Sequence, residues 1–178
     1  MKRSAMLLVL AISACGGVPE RPEGPAPVAV SASDAKMLLK GLRKDFHEVD
    51  AGSLGGIGAG IEDGQLFVEL VADSAFEDGN AQLRLGALKP IADIASSIRA
   101  RGACVVHVIG LGGDSDSQAL AERRAATLAD NLARHALTPE RLRYESRIDE
   151  QRSGRVVIAL RPVVIGREAQ AWLPPALP

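Results

Sequence analysis

The sequence predicts a mixed α/β domain, a two-layer sandwich with the element order β-α-β-α-β-β in which one sheet carries two helices on one face. Three patterns predict it. Apolar and polar residues alternate over residues 65–72, which is the period of a strand. Apolar residues recur at helical spacing over 85–101 and again over 115–135. Strands that alternate with helices through right-handed crossovers form one sheet with the helices packed on it.

The first βα unit starts with the strand at residues 65–72, which places Leu66, Val68 and Leu70 on one face. Turn residues precede it and allow a hairpin with residues 57–61. The helix at 85–101 ends at Gly102, a common residue just after a helix. Pro90 lies early in that helix and predicts a late start or a kink there.

The second βα unit starts with the β-branched apolar run 103–109, which predicts a central strand. A glycine-rich segment ends this strand, and Asp114 or Ser115 is predicted to cap a helix that extends to about His135. Residues 142–148 and 155–161 predict two final strands that form a hairpin around a polar turn. The tail at 163–178 is expected to be irregular, with Trp172 docking it onto the domain.

Three further segments precede the main domain, which is expected to span residues 57–162. Residues 15–32 contain four prolines and predict an extended tether. Residues 33–50 predict a helix capped by Ser33 or Asp34, with an apolar stripe on one face. This helix either packs against the domain or binds a partner as a short coiled coil.

The N-terminus has the pattern of a targeting signal. Two basic residues precede a short apolar run at residues 5–14, too short to span a bilayer. Residues 12–15, Ile-Ser-Ala-Cys, resemble a bacterial lipobox. The resemblance implies that residues 1–14 are a removed signal peptide and that Cys15 carries fatty acyl chains such as palmitate, which anchor the protein stably. Gly16 in the next position implies the outer membrane. The alternative is an unmodified cysteine behind a signal peptide.

Composition excludes several classes of function. The net charge is −1, and removal of Lys2 and Arg3 with the signal makes it −3, so no nucleic-acid partner is expected. The three histidines are scattered, and the only other cysteine, Cys104, lies in an apolar run. No catalytic residues, metal or cofactor are therefore expected. Aromatic residues make up 3% of the chain, which argues against stacking on sugar rings.

Four short segments lie in a characteristic order. Residues 76–83 place Phe, acidic and small residues, Gly and then Leu before the first helix; residues 106–110 are an apolar strand that ends in Gly. Residues 120–125 read Leu-Ala-Glu-Arg-Arg-Ala, and residues 153–156 read Ser-Gly-Arg-Val at the last strand. Together they resemble the OmpA-like peptidoglycan-binding domain of porins, Pal-type lipoproteins and motor stators. The resemblance covers roughly Leu66 to Pro162.

The resemblance implies binding of the diaminopimelate part of the peptidoglycan stem peptide, in which an Arg pairs with a carboxylate and a loop Asp with an ammonium. The Arg corresponds to Arg124. Where the family has His-Thr-Asp after Gly110, this chain has Leu-Gly-Gly, and the loop is shorter. The candidate carboxylates are therefore Asp114 and Asp116, and Ser117 falls at a family Asn.

Two functions fit these residues. In the first, the chain is a lipid-anchored outer-membrane protein whose periplasmic domain binds the stem peptide. In the second, the domain keeps the fold without the ligand and serves as an envelope scaffold or protein-interaction module. The alternative roles of the site residues are a helix N-cap for Asp114 and a solvent-facing arginine, paired with a glutamate of its own helix, for Arg124.

Overall fold

The structure, a computed structural model, describes residues 27–49, 54, 57–135 and 137–178. The predicted signal peptide, Cys15 and most of the tether lie outside these residues. Within them there are four α-helices: α1 (Ala32–Glu48), the single turn α2 (Ala72–Ala75), α3 (Leu85–Arg101) and α4 (Ser115–Arg134). The strands are β1 (Ile57–Glu62), β2 (Gln65–Val71), β3 (Cys104–Gly112), β4 (Leu142–Ile148) and β5 (Arg155–Pro162).

The five strands form one sheet in the order β1-β2-β5-β3-β4. The strand β5 lies in the middle, antiparallel to both β2 and β3, whereas β4 pairs in parallel with β3 at the edge. The predicted hairpin between the last two strands is therefore wrong. Its residues show why: β5 is buried on both faces from Val156 to Leu160 and needs neighbours on each side, whereas β4 alternates charged residues that suit an edge.

Three helices, α1, α3 and α4, cover one face of the sheet and enclose the main apolar core. The helix α1 packs against the domain through Leu39, Leu42 and Phe46. This is the first of the two predictions made for it from the sequence. It begins at Ala32 and is capped by Ser31, whose hydroxyl accepts from the Asp34 amide, rather than by Ser33 or Asp34 as predicted. The helix α3 runs through Pro90 without a break and ends in left-handed Gly102.

The C-terminal tail covers the opposite face of the sheet. Val163 and Ala171 are buried against Val105 of β3, and a short 3-10 helix spans Glu168–Trp172. The tail is thus more ordered than predicted, because its few apolar residues cover the face of the sheet that carries no α-helix. The predicted docking of Trp172 is present: the Arg143 guanidinium lies 4.8 Å from the centre of its ring.

Two glycines at the end of β3 let α4 lie directly on the strand. A Cβ at Gly110 would stand 2.0 Å from the carbonyl oxygen of Ala121, and one at Gly112 would stand 2.8 Å from the amide nitrogen of Gln118. Both distances are far shorter than a non-bonded contact. The glycine-rich segment is therefore required by the packing of a strand against a helix backbone.

This packing predicts that Gly110→Ala destabilises the protein. The new methyl group must displace helix backbone, and overpacking of this kind costs about 1–3 kcal/mol of the free energy of unfolding. Urea unfolding followed by circular dichroism measures the loss. The matched control is Gly86→Ala in α3, where a Cβ meets nothing within 4 Å. We expect that variant to gain about 0.5–1 kcal/mol from helix propensity, and an equal loss in both variants would contradict the prediction.

Candidate functional site

Arg124 lies on the inner side of α4, and its side chain is only 8% exposed. Its Nε–H donates to the carbonyl oxygen of Asn80 at 2.9 Å, and its guanidinium lies 5.5 Å from the centre of the Phe76 ring. Burial lowers the pKa of the guanidinium, and the neighbouring Asp73 carboxylate opposes this shift. The solvent-facing alternative for Arg124 is therefore wrong, and the protein holds a buried cation at this place.

The carboxylate beside this cation comes from α2. Asp73 Oδ1 lies 3.8 Å from Nη2 of Arg124, and the Asp73 side chain is 82% exposed. The turn α2 follows β2 directly. The residue after it, Phe76, is held by Arg84, whose Nε donates to the Phe76 carbonyl at 2.7 Å. Asp73 is thus the exposed partner of a buried cation.

Sequence reasoning missed Asp73. The available signal was its place directly after β2. Because β5 is antiparallel to both β2 and β3, those two strands run the same way, and their carboxyl ends meet at one edge of the sheet. Only the strand order, with β5 inserted in the centre, places Asp73 beside α4.

A cavity of about 80 Å³ opens beside Arg124. Its walls come from the end of β3, the first turns of α4, the start of α2 and the connection from β4 to β5. The lining residues are Ala72, Leu111, Ser117, Leu120, Ala121, Arg124, Ser153, Gly154, Arg155 and Val156. Two backbone hydrogen bonds fix these walls to each other: the Gly154 amide donates to the Leu111 carbonyl at 3.0 Å, and the Ala72 amide donates to the Gly154 carbonyl at 2.9 Å.

The two predicted aspartates lie elsewhere. Asp114 is the N-cap of α4 and forms a capping box, in which its carboxylate accepts from the Ser117 amide at 2.7 Å. The Ser117 hydroxyl accepts from the Gly113 and Asp114 amides at 2.9 and 3.1 Å. The bond from the Ser117 amide, together with one that the Ser117 hydroxyl donates to the same carboxylate at 2.7 Å, lowers the pKa of Asp114. Asp116 is exposed in the first turn of the helix.

The structure therefore brings together Arg124 and Ser117, which both line the cavity, but neither aspartate lines it. The physical reason is the short loop: the chain turns into α4 immediately after Gly113, so Asp114 is drawn into the cap. Among the described residues, the carboxylate that comes within 4 Å of the Arg124 guanidinium is Asp73.

Other ionisable or reactive residues lie away from the cavity. Cys104 is buried in the core, where burial raises the pKa of its thiol to about 12. His107 Nε2 lies 3.2 Å from the Ala171 carbonyl under the tail, and burial lowers its pKa. Over the described ranges no three His, Cys, Asp or Glu side chains gather into a group that could hold a metal ion. No described helix combines the length and apolarity that crossing a bilayer needs.

Comparison with known proteins gives matches among solved structures. A MotB-like protein from Desulfovibrio vulgaris shares 18% identity over 72% of this chain and 95% of its own, with a TM-score of 0.57. The cell wall anchor of the T6SS from Pseudomonas aeruginosa shares 18% identity over 68% and 96%, with a TM-score of 0.58. The chain has the OmpA-like fold.

A third similar structure, the periplasmic domain of Helicobacter pylori MotB, matches with 18% identity over 67% of this chain and 88% of its own, and a TM-score of 0.57. No family model and no curated protein matches the sequence. The fold class predicted from the sequence is thereby confirmed. The roles of individual residues rest on the geometry of this OmpA-like domain itself.

The capping box predicts a pH-dependent stability contribution from Asp114. Its pKa is lower folded than unfolded, so its stabilisation is complete above the ordinary Asp value of about 3.9 and is lost as pH falls through the folded value. We expect Asp114→Ala to lower the free energy of unfolding at pH 7, with a difference from the wild type that shrinks at strongly acidic pH. Asp114→Asn, which still caps a helix, is the control. A pH-independent deficit in the alanine variant would contradict this role.

Proposed function

We propose that this chain is an outer-membrane-anchored lipoprotein whose periplasmic OmpA-like domain binds peptidoglycan non-covalently through the diaminopimelate stem peptide. The observation that carries the proposal is the pair formed by buried Arg124, which lines a small cavity, and exposed Asp73, whose Oδ1 lies 3.8 Å from Nη2 of Arg124. The role is one of binding rather than catalysis. The similar structures, named as MotB periplasmic domains and a cell wall anchor, support a periplasmic domain associated with the cell wall.

The chemistry of the pair suits an amino-acid head group. Its ammonium would bind Asp73, and its carboxylate would bind the guanidinium of Arg124. The Nε–H of Arg124 is already donated to Asn80, but Nη2 lies 3.8 Å from Asp73, beyond hydrogen-bond distance. The terminal N–H groups can therefore turn to a ligand carboxylate, to which a guanidinium fork is well suited. In this proposal Asp73 takes the place of the loop aspartate expected from sequence.

The size of the cavity restricts the ligand. A volume of about 80 Å³ is well below the roughly 300–1,000 Å³ of ordinary ligand pockets, which suits a small head group such as an ammonium-carboxylate. The glycan strand would then remain outside, and recognition would rest on the free end of the stem peptide.

One observation favours the second candidate function, an envelope scaffold or protein-interaction module without peptidoglycan binding. Arg124 already has a carbonyl, an aromatic ring and a carboxylate as neighbours. In this alternative the role of Arg124 is purely structural: it holds α4 against the segment before α3. This alternative predicts co-purifying envelope proteins and no affinity for the cell wall.

Pull-down of the protein on purified peptidoglycan sacculi separates the two candidates. Asp73→Asn is expected to weaken binding about 10- to 150-fold, because a hydrogen bond to a charged group contributes about 1.5–3 kcal/mol. The matched control is Asp130→Asn on the exposed side of α4. Arg124→Lys should weaken binding more, because an ammonium cannot form the two-pronged contact.

The same variants reveal a purely structural role. Asp73 is largely exposed, so its amide variant should unfold in urea at the wild-type concentration. If Arg124→Lys loses stability and the wild-type protein leaves sacculi unbound at low and moderate salt, the scaffold function is correct. Wild-type binding in both Asp73→Asn and Arg124→Lys would show that the wall site lies elsewhere on the domain.

The anchor is the part of the proposal that rests on sequence. Residues 12–15 have the lipobox pattern, and the prolines that follow suit a tether between the bilayer and the domain. Several acyl chains hold a protein on a membrane far more firmly than one. With a mature net charge of −3, the domain as a whole has no general attraction to an anionic surface.

Replacement of Cys15 tests the anchor. In Cys15→Ser the acyl chains have no attachment site, so the protein should move from the membrane fraction to the soluble fraction on cell fractionation. Mass spectrometry of the wild-type N-terminal peptide should show acylation at Cys15. Continued retention of the serine variant in washed membranes would contradict lipidation as the anchor.

A further inference from the structure

A second, larger concavity lies at the other end of the molecule, with a volume of about 1100 Å³. We call it the basic groove. Its walls are the first half of α1, the turn between β1 and β2, the end of β5 and the C-terminal tail. Five positively charged side chains line it, against the single acid Asp63: Lys36, Lys40, Arg43, Arg161 and Arg167.

The positive charge of the groove is not neutralised by the domain. Among the described residues, none of the five cations forms an ion pair within 4 Å. The neighbouring acids Asp34, Glu62 and Glu168 keep their charge but do not line the groove; Asp34 accepts from Ser31, and Glu168 accepts from the Gly166 amide. Asp45, one turn beyond the groove, is paired with Arg101 at 2.8 Å. The lining itself therefore has an excess of positive charge, five cations against one acid, although the chain as a whole is acidic.

The groove also carries exposed apolar side chains. Ile61, Ile165 and Leu173 line it and are 37%, 65% and 57% exposed. Val28, just before α1, is 71% exposed. Large exposed apolar residues beside cations without ion-pair partners are typical of a surface that binds lipid headgroups. The apolar side chains enter the membrane interface, and the cations bind the phosphates.

The position of the groove agrees with the anchor. The first described residue is Pro27, and Val30 pairs with Val164, a groove residue. Pro27 follows Cys15 by twelve positions, which span at most about 40 Å. A membrane anchor at Cys15 would thus keep this end of the domain within reach of the bilayer surface.

The strands of the sheet show where the Arg124 cavity lies relative to the groove. β5 begins at Arg155 beside the Arg124 cavity and reaches Arg161 in the groove, a rise of about 20 Å along the strand. β2 runs between the same two ends in reverse, from Gln65 in the groove to Val71 before Asp73. The groove and the cavity are therefore at opposite ends of the strands.

From these observations we propose that the basic groove binds anionic phospholipid headgroups of the leaflet that holds the anchor, so that the Arg124 cavity points away from the bilayer toward the cell wall. The inference rests on the proposed anchor and deepens it, because it gives the domain an orientation. The acyl chains supply the affinity, and the groove selects which end of the domain faces the membrane.

Energy transfer on the mature, lipid-anchored protein tests this orientation. The protein is reconstituted into vesicles of phosphatidylethanolamine and phosphatidylglycerol that contain a headgroup-labelled acceptor lipid. One donor is attached at Gln170→Cys in the groove and, in a separate sample, at Gln151→Cys at the cavity end; both side chains are exposed. Cys104 stays unlabelled because it is buried and its thiol pKa is raised to about 12.

We expect strong transfer from the groove position and weak transfer from the cavity position. The difference should shrink to the part that the tether alone produces in pure phosphatidylcholine vesicles and at about 1 M salt, where the screening length falls to about 3 Å. It should shrink to the same extent in the triple variant Lys36→Gln/Lys40→Gln/Arg43→Gln. The matched control, Arg99→Gln/Arg123→Gln/Arg134→Gln, removes three exposed cations of α3 and α4 and should keep the difference.

Three other outcomes separate the possible failures. Protein that fails to float with the vesicles contradicts lipid anchoring at Cys15. Binding to sacculi is measured independently and tests the peptidoglycan site at Arg124. Protein that floats with equal transfer from both positions, whatever the lipid, overturns the orientation. Equal transfer together with an acidic protein that co-purifies with the wild type and not with the groove variant assigns the groove to a protein partner and overturns the lipid proposal.

Discussion

The contact between β3 and α4 constrains every other feature of this domain. It exists because Gly110 and Gly112 have no side chain where the helix backbone crosses the strand. The close approach lets Leu128 and Leu132 of the helix enter the core. It also buries Arg124, which follows Ala121, the helix residue at Gly110, by three positions. A larger residue at either glycine would separate the layers and move the guanidinium from its carbonyl partner.

The same short connection redistributes the charges at this end of the sheet. A chain that enters α4 immediately after β3 has no room for a loop carboxylate facing Arg124, and Asp114 is used as the helix cap. The partner of Arg124 comes instead from Asp73, at the parallel end of β2. Because Asp73 is 82% exposed and 3.8 Å from Nη2, it lies close to the buried guanidinium without being bound to it. The cation on α4 and its nearest anion therefore come from different segments of the chain.

The sheet separates two surfaces of different character. One end has a small cavity lined by the buried cation Arg124, with the exposed anion Asp73 close to that cation. The other presents a wide groove with five cations and exposed apolar residues, suited to an anionic interface. The two faces differ as well, since helices cover one and the tail covers the other. A domain anchored at one end and binding at the other can connect two parallel layers without any moving part.

The amino-acid sequence was sufficient for the five strands, the three long helices and their apolar faces, and it offered Asp114 as one of two candidate caps, because periodicity and capping are local properties of the chain. It also carried the OmpA-like fold through the order of four short segments. Three features became apparent only in the folded chain: β5 lies between β2 and β3, the tail covers the bare face, and Asp73 faces Arg124. Strand order depends on which apolar faces can be buried together, and that competition involves residues far apart in sequence. The partner of a buried charge follows from the same competition, so no local pattern could reveal it.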